Sequence, residues 1–315
     1  MRPLLVALWE RIDKDAATRH SQLAFMRSQL EPGRIDPVPK PSALRVAIIR
    51  AAHQLLDTPL VFEDPFACRI LGSVEEKSLR SDPAKYDIPR LKGLRASLVV
   101  RSRLAEEEWD RSKQSGVRQY VILGAGLDTY AYRNQDQDDS RIFEVDLPAT
   151  QRWKRDCLLA AGIKEPASLT FVPIDFECCS LAEGLRQTAF CDKDPAFFSW
   201  LGVTMYLEEE AVLNTLRFIA TRAPGSGVVF DYGVKPVLLS PTERTGMEFL
   251  AARAAEHGER WKTYFDPASF AGTLRSLGFS EVEDFGPEQL NDRYLSGRTD
   301  GLRKSGAARL ISARI

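Results

Sequence analysis

Residues 118–146 read RQYVILGAGLDTYAYRNQDQDDSRIFEVD, and this stretch indicates the fold of the chain. Its two short apolar runs, at 120–123 and 142–143, are each followed by residues that can bind a ligand. A short apolar run bounded by glycine is typical of a buried parallel strand. The stretch therefore predicts a strand, a glycine turn, a helix and a second strand, with a binding site where the strands end.

The turn after the first run has the sequence GAGLDT, residues 124–129. Gly124 and Gly126 carry no Cβ, so the backbone can turn sharply there and a ligand can approach it closely. Asp146 ends the second strand, 20 residues after Gly126. In dinucleotide-binding folds an acidic side chain at this place binds ribose hydroxyls. The pair of strands therefore predicts a site for a nucleoside.

The chemistry of the turn narrows the choice of nucleoside. The pattern is GxGxxT, which lacks the third glycine of a pyrophosphate-binding loop. Asp128 in the turn would repel a phosphate, but it suits a cationic ligand that carries an amino group. S-adenosylmethionine is such a ligand, since it joins a nucleoside to a sulfonium and an amino acid without phosphate. We expect S-adenosylmethionine as the cofactor; the alternative is a strand-turn-helix whose glycines serve packing alone.

Composition excludes several classes of partner. The chain has 315 residues, 44% hydrophobic and 28% charged, as in an ordinary globular protein. A net charge of −1 gives no basic surface for nucleic acid or a membrane, and no apolar run approaches the roughly 20 residues of a membrane helix. Five cysteines without a CxxC motif, and no signal-peptide pattern, predict a cytoplasmic protein. Because histidines number three, we expect no metal site, and the oligomeric state is left open.

The chain divides into an extension and one larger unit. Residues 1–40 have mixed charge and a Pro-rich end, which we interpret as an N-terminal extension and linker. The domain that we assign to catalysis spans 41–315, with helical cap elements at about 41–95 and 234–266. Its apolar runs alternate with helical patterns, which predicts an α/β fold with a doubly wound, mostly parallel sheet. Two late strands close together predict an antiparallel hairpin at the edge of this sheet.

The third and fourth strands also end in side chains suited to a ligand. Asp175 and Phe176 follow the third strand, where an acid and an apolar ring can hold the amine of an adenine and cover its face. The alternative for Asp175 is a helix N-cap. Because a substrate pocket opens at the carboxyl ends of parallel strands, Trp200 and Tyr206 are candidates for its walls, although we expect at least one of them in the core.

A long helix is predicted at 90–115, directly before the glycine-rich strand. It carries Arg95, Arg101 and Arg103. Such side chains are usually solvated, but the position of this helix favours a role for at least one of them in binding a ligand carboxylate.

Four segments together resemble the leucine carboxyl methyltransferase family. They are VILGAGLDTYAYR at 121–133, FEVDLP at 143–148, VPIDFE at 172–177 and FFSWLGVTMYL at 197–207. The resemblance covers roughly residues 41–315 and implies a class I methyltransferase fold, a Rossmann-like sheet of seven strands with one antiparallel strand. It also implies that the protein transfers a methyl group from S-adenosylmethionine to an oxygen of a small organic molecule.

The resemblance implies specific cofactor contacts. Arg101 matches the arginine that pairs with the methionyl carboxylate, with Arg103 as a rival two residues on. The family's loop glycine, ribose-binding acid and adenine contacts match, in chain order, Gly124, Asp146, Asp175 and Phe176. The chain departs from the family at Leu201, where the family often has a glutamate in a segment like AEGLLMYL. This departure removes one polar cofactor contact and places the chain nearer to the small-molecule enzymes than to the phosphatase-methylating branch.

The acceptor decides whether a base is needed. A carboxylate is already ionised near neutral pH and needs none, whereas an alcohol or a phenol would be helped by one. His53, His257 and Tyr206 are then the candidates, although a packing role is favoured for His53, and no catalytic residue is assigned. Two alternatives stay open. One is a nicotinamide-dependent oxidoreductase on a similar sheet, and the other is a non-catalytic S-adenosylmethionine-binding protein, which the leucine at position 201 would allow.

Overall fold

The computed structural model describes residues 41–134, 139–176 and 180–315, so the predicted extension at 1–40 lies outside the described residues. The strands are β1 (Gln119–Leu123), β2 (Arg141–Asp146), β3 (Leu169–Pro173), β4 (Ala196–Trp200), β5 (Gly227–Gly233), β6 (Glu281–Phe285) and β7 (Ala308–Arg314). They form one sheet in the order β3-β2-β1-β4-β5-β7-β6.

The α-helices of the described residues surround this sheet. They are α1 (Pro41–Leu56), α2 (Ser73–Ser81), α3 (Pro89–Gln114), α4 (Tyr130–Arg133), α5 (Pro148–Ala160), α6 (Leu181–Arg186), α7 (Glu209–Ala220), α8 (Pro241–Glu256), α9 (Pro267–Leu277) and α10 (Pro287–Leu295). Short 3-10 turns lie at Arg69–Leu71, Pro83–Tyr86, Thr204–Tyr206 and Pro236–Leu238. No helix of the described segments combines the length and the apolar character needed to cross a membrane.

The sheet is mostly parallel. Strands β3, β2, β1, β4 and β5 pair in parallel, and β7 is antiparallel to both β5 and β6. Seven strands with one antiparallel member are therefore confirmed. This order, with β7 inserted before the edge strand, is the class I methyltransferase fold.

The predicted antiparallel pair at the edge of the sheet is confirmed, because β6 pairs antiparallel with β7 and is the edge strand. The pair is not a hairpin, however. Helix α10 separates β6 from β7 in the chain, and β7 lies between β5 and β6 rather than at the edge. Burial explains why β7 and not β6 takes the inner position. Leu310, Ile311, Ser312 and Ala313 of β7 are all buried, whereas no residue of β6 is. The more apolar strand takes the inner position because both of its faces are covered there.

The two faces of the sheet bury separate halves of the core. Along β1 the side chains alternate, so Tyr120 and Ile122 pack with residues of α1 and α3, while Val121 and Leu123 pack with residues of α7 and α9. Trp109 of α3 stacks on Tyr120 with ring centroids 4.8 Å apart. The helices thus hold β1 rigidly from both sides, and its carboxyl end is a fixed platform.

The segment 234–266, which is predicted as a helical cap, contains α8, and its last residues run back to the end of β5 in the sheet. Val234 and Phe265 form a parallel bridge, and the Lys262 amide donates to the carbonyl of Met205 at 2.7 Å. The buried Glu259 carboxylate accepts from the Ser42 amide at 3.0 Å, at the start of α1. This connection closes the two cap elements over the carboxyl ends of the strands.

Candidate cofactor site

A cavity of about 870 Å³ opens at the carboxyl ends of the strands. Helices α1, α3 and α8 form its outer wall. All the predicted cofactor residues line it, namely Arg101, Gly124, Gly126, Asp146, Asp175, Phe176 and Leu201. Residues that are far apart in sequence therefore meet in one space, at the end of the sheet where the alternating strands and helices place a ligand site.

The turn after β1 leaves no room for a side chain. Gly124 has φ 67°, and a Cβ at this position would collide with the Val203 side chain. The Gly124 and Ala125 amides both donate to the Val145 carbonyl, at 2.7 and 3.1 Å, which fixes the turn against β2. Any other residue would have a strained backbone at this φ, and its side chain would clash with Val203, so the turn requires glycine at position 124.

Asp146 lies at the end of β2 beside this turn. Its Oδ2 accepts from the Gly126 amide at 2.6 Å and its Oδ1 from the Leu147 amide at 2.7 Å. Burial raises the pKa of this carboxyl, and the two backbone hydrogen bonds oppose that shift. Each carboxylate oxygen has two lone pairs, so both oxygens can still accept from a pair of ligand hydroxyls.

The three arginines of α3 have different surroundings. Arg95 is fully buried and pairs with Asp57 at 2.6 Å, so it stabilises the fold. The Arg103 side chain is 50% exposed, pairs with Glu107 of the next turn at 2.6 Å, and does not line the cavity. Arg101 lines the cavity. Of the two rivals, the structure therefore places Arg101 at the cavity and Arg103 outside it.

Arg101 is held by an acid that sequence analysis missed. Its Nη1 donates to Oδ2 of Asp231 in β5 at 2.8 Å, and the Oδ1 of that carboxylate accepts from the Gly202 amide at 2.5 Å. Gly202 has φ 73°, and a Cβ there would lie 2.7 Å from Nη2 of Arg101. The sequence does contain a signal for the role of Asp231. It is an acid inside the apolar run VVFDY of β5, and a buried charge needs a partner.

Asp175 and Phe176 follow β3 and line the cavity beside Asp146. Asp175 is not the N-cap of α6, because that place is taken by Ser180, whose Oγ accepts from the Glu183 amide. Leu201 and Tyr206 line the cavity as predicted.

Trp200 is a correction to the predicted substrate pocket. It is fully buried and does not line the cavity, whereas its neighbours Ser199 and Leu201 do. Side chains alternate along a strand, so Trp200 points to the opposite face, where its ring lies 6.4 Å from that of Phe230. It is a core residue.

One of the three candidate bases reaches the cavity. His53 is fully buried, with Nδ1 2.7 Å from Asp57 and Nε2 accepting from the Val61 amide at 3.1 Å, so it serves packing. His257 follows α8 and does not line the cavity either. Tyr206 lines it, but burial raises the pKa of its phenol, which makes it a poor base.

The fold and the site define the class of the protein: it has a class I methyltransferase fold with one large cavity at the carboxyl ends of the strands. The chain belongs to the leucine carboxyl methyltransferase family, whose model matches residues 43–220. The sequence-based resemblance is therefore confirmed.

Individual relatives agree with this assignment. YktD of Bacillus subtilis strain 168, provisionally named as an S-adenosyl-L-methionine-dependent methyltransferase, is 31% identical over 284 residues, covering 83% of this chain and 93% of YktD. A protein of Mycolicibacterium paratuberculosis strain K-10 with the same provisional name is 34% identical over 242 residues, covering 71% of this chain and 76% of the relative. A DUF574 family protein from Streptomyces avermitilis shares the fold, with a TM-score of 0.53, 16% identity and coverage of 86% of this chain and 96% of its own.

Proposed function

We propose that the protein is an S-adenosylmethionine-dependent methyltransferase that methylates a carboxylate or hydroxyl oxygen of a small organic molecule. One observation carries the proposal. The Asp146 carboxylate, anchored by the Gly126 and Leu147 amides, shares one cavity with the Arg101 guanidinium. Acceptors for ribose hydroxyls thus lie in the same space as a cation for an amino acid carboxylate.

The residues of the cavity fit this cofactor. Asp146 would hold the ribose, Arg101 the methionyl carboxylate, and Asp175 with Phe176 the adenine. Gly124 lines the cavity with its bare backbone, against which the Val203 side chain packs. The departure at Leu201 does not leave the fourth-strand turn without an acid, because Asp231 reaches the amide of the next residue, Gly202, from β5.

When bound, the cofactor supplies a methyl group already activated by a sulfonium. The chain must then hold an acceptor oxygen in line, roughly 3 Å from the methyl carbon. An acceptor carboxylate needs no base, and Tyr206, which burial makes a poor base, is the only sequence-predicted candidate at the cavity. The site therefore favours a carboxylate as the acceptor over an alcohol or a phenol. The net charge of −1 favours a small-molecule acceptor over a macromolecule that binds to a basic surface.

Calorimetry and a transfer assay test the proposal. We expect binding of S-adenosylmethionine and no comparable binding of NAD, whose pyrophosphate would face Asp128 in the turn. A radiolabelled methyl transfer assay over paired acids, phenols and alcohols would then give labelled product with at least one acid. Tight NAD binding without S-adenosylmethionine binding would support the oxidoreductase instead. Binding of S-adenosylmethionine without any turnover would support the non-catalytic binder.

A further inference from the structure

Lys304 lies in the segment between α10 and β7 and lines the same cavity, far from Asp146. Its ammonium donates to the carbonyl of Ala308, which pairs with Gly233 at the end of β5. Asp146 ends β2, and β2 and β5 are three strand spacings apart, roughly 14 Å. Lys304 therefore belongs to the part of the cavity that the nucleoside does not need.

The ammonium of Lys304 is buried without a counter-ion. The residue is 5% exposed, and Nζ donates to the Ser305 carbonyl at 3.1 Å and to the Ala308 carbonyl. Within the described ranges the ammonium forms hydrogen bonds with these carbonyls and no ion pair with a carboxylate. Since an ammonium has three N–H donors, one donor is left after these two carbonyls.

Four charged groups surround Lys304 without forming an ion pair with it. They are Asp231 of β5, Glu243 of α8, Arg101 of α3 and Arg309 of β7. Asp231 binds Arg101, Arg309 binds Asp284 at 2.8 Å, and Glu243 accepts from the Gly306 amide at 2.7 Å. Burial lowers the pKa of Lys304 to about 8, so it is mostly protonated at pH 7. A buried charge without a partner is costly, and an anion that enters the cavity would remove that cost.

The backbone of Lys304 is fixed, which suits a binding residue. Its amide donates to Oδ1 of Asn291 at 2.9 Å, and Nδ2 of Asn291 donates back to its carbonyl at 3.0 Å. The cavity that Lys304 lines also has apolar side chains, among them Leu94 of α3 and Met247 and Leu250 of α8. One cation without an ion-pair partner among the described residues, in a cavity that also has apolar side chains, fits a ligand with one negative group and an apolar body.

We propose that Lys304 binds the carboxylate of an apolar monocarboxylic acid, and that this acid is the methyl acceptor. The inference rests on the proposed function and specifies its substrate class. One carboxylate oxygen stays on the Lys304 ammonium, and the other forms the bond to the methyl carbon. The carbon–sulfur bond breaks and its electron pair goes to the sulfur. The products are a neutral methyl ester and S-adenosylhomocysteine, and the ester leaves because Lys304 no longer has an anion to hold.

Acid and ester binding to the protein saturated with S-adenosylhomocysteine tests this inference. The probes are octanoate, decanoate, cinnamate and naphthoate, each measured against its own methyl ester by calorimetry at pH 7. We expect at least one acid to bind at least about tenfold more tightly than its ester, as a charge-assisted hydrogen bond provides. Lys304→Gln keeps a donor for the two carbonyls but removes the charge, and it should abolish that preference. Lys92→Gln, a lysine on α3 outside the cavity that pairs with Asp87 at 3.3 Å, should retain it.

Three results would overturn the inference. The first is that the unmutated protein binds every acid and its ester equally, and the second is that Lys304→Gln keeps the acid preference. The third is that Lys304→Gln loses as much affinity for S-adenosylhomocysteine as it loses for the acid. If Lys304→Gln fails to fold, the acid preference of the unmutated protein between pH 7 and 9.5 decides. It should fall as Lys304 loses its proton above about 8, and a constant preference contradicts the inference. Failure of the unmutated protein to bind S-adenosylhomocysteine would reject the proposed function as well, whereas binding without acid preference rejects this inference alone.

Discussion

Nη1 of Arg101 lies 2.8 Å from Oδ2 of Asp231, and this ion pair joins α3 to β5 inside the cavity. The same carboxylate accepts from the Gly202 amide at 2.5 Å, so helix, strand and turn are fixed at one point. The guanidinium lies against the bare backbone of Gly202. Arg101 is thus oriented before any ligand arrives, which lowers the entropic cost of binding a carboxylate.

Replacing Arg101 should weaken cofactor binding, while replacing Arg103 should not. Arg101→Met removes the cation from the cavity, and we expect the Kd for S-adenosylmethionine to rise about 10- to 100-fold, the worth of a hydrogen bond to a charged group. Arg103→Met, two residues along α3, removes a half-exposed side chain and should leave the Kd within about threefold. Calorimetry on both variants checks this. Equal effects of the two substitutions would mean that the cavity is not the cofactor site.

Gly202 should be required for the position of Arg101 rather than for folding alone. Gly202→Ala places a Cβ 2.7 Å from Nη2 of Arg101, in addition to the strain of φ 73°. Gly116→Ala at the end of α3 has φ 90° but meets no atom within 4 Å. Both variants should lose about 1–2 kcal/mol of stability from the left-handed backbone, measured by chemical denaturation.

Only Gly202→Ala should also weaken S-adenosylmethionine binding, because only there is the guanidinium displaced. A Gly202→Ala protein that binds the cofactor as tightly as Gly116→Ala would show that the position of Arg101 is unimportant.

How far the sequence predicts this site depends on how local each signal is. Gly124, Gly126 and Asp146 are recognised because they follow apolar runs within one short stretch. Arg101 and Arg103 are indistinguishable by pattern, since which one faces the cavity depends on how α3 lies on the sheet. Asp231 is brought to Arg101 by strand order, which no local pattern contains.

Errors in the predicted site and fold have the same origin. Trp200 is a candidate for the pocket because the sequence predicts the end of β4 correctly. Successive side chains of a strand point to opposite faces of the sheet, however, and the sequence does not show which face Trp200 takes. Lys304 gave no sequence signal at all, because it lies in an irregular segment that α10 and β7 hold in place. The sequence predicts the antiparallel pair at the edge correctly but not the inner position of β7, since proximity in sequence does not determine which of two strands is buried.

The buried pair of Glu144 and Lys154, 2.6 Å apart, should make stability depend on pH. Burial raises the pKa of Glu144 to about 7 from an ordinary value of 4.5. The folded protein therefore holds this proton more tightly than the unfolded chain does. Its contribution to stability is full below pH 4.5 and is lost as the pH rises through about 7.

Glu144→Gln cannot titrate, so the free energy of unfolding should fall less steeply between pH 4.5 and 7 in this variant than in the unmutated protein. Urea denaturation at several pH values in this window checks the slope. Identical slopes for the two proteins would mean that Glu144 is already ionised throughout the window.

The most direct test of the account is the affinity of S-adenosylmethionine for Asp146→Ala, measured by calorimetry beside Asp194→Ala. Asp194 is an exposed acid that pairs with Arg141 at the opposite end of the same sheet, so its loss should leave the Kd unchanged. Asp146→Ala should raise the Kd about 10- to 100-fold, because the ribose loses its charged acceptor. A folded Asp146→Ala protein that binds S-adenosylmethionine as tightly as Asp194→Ala would contradict the account.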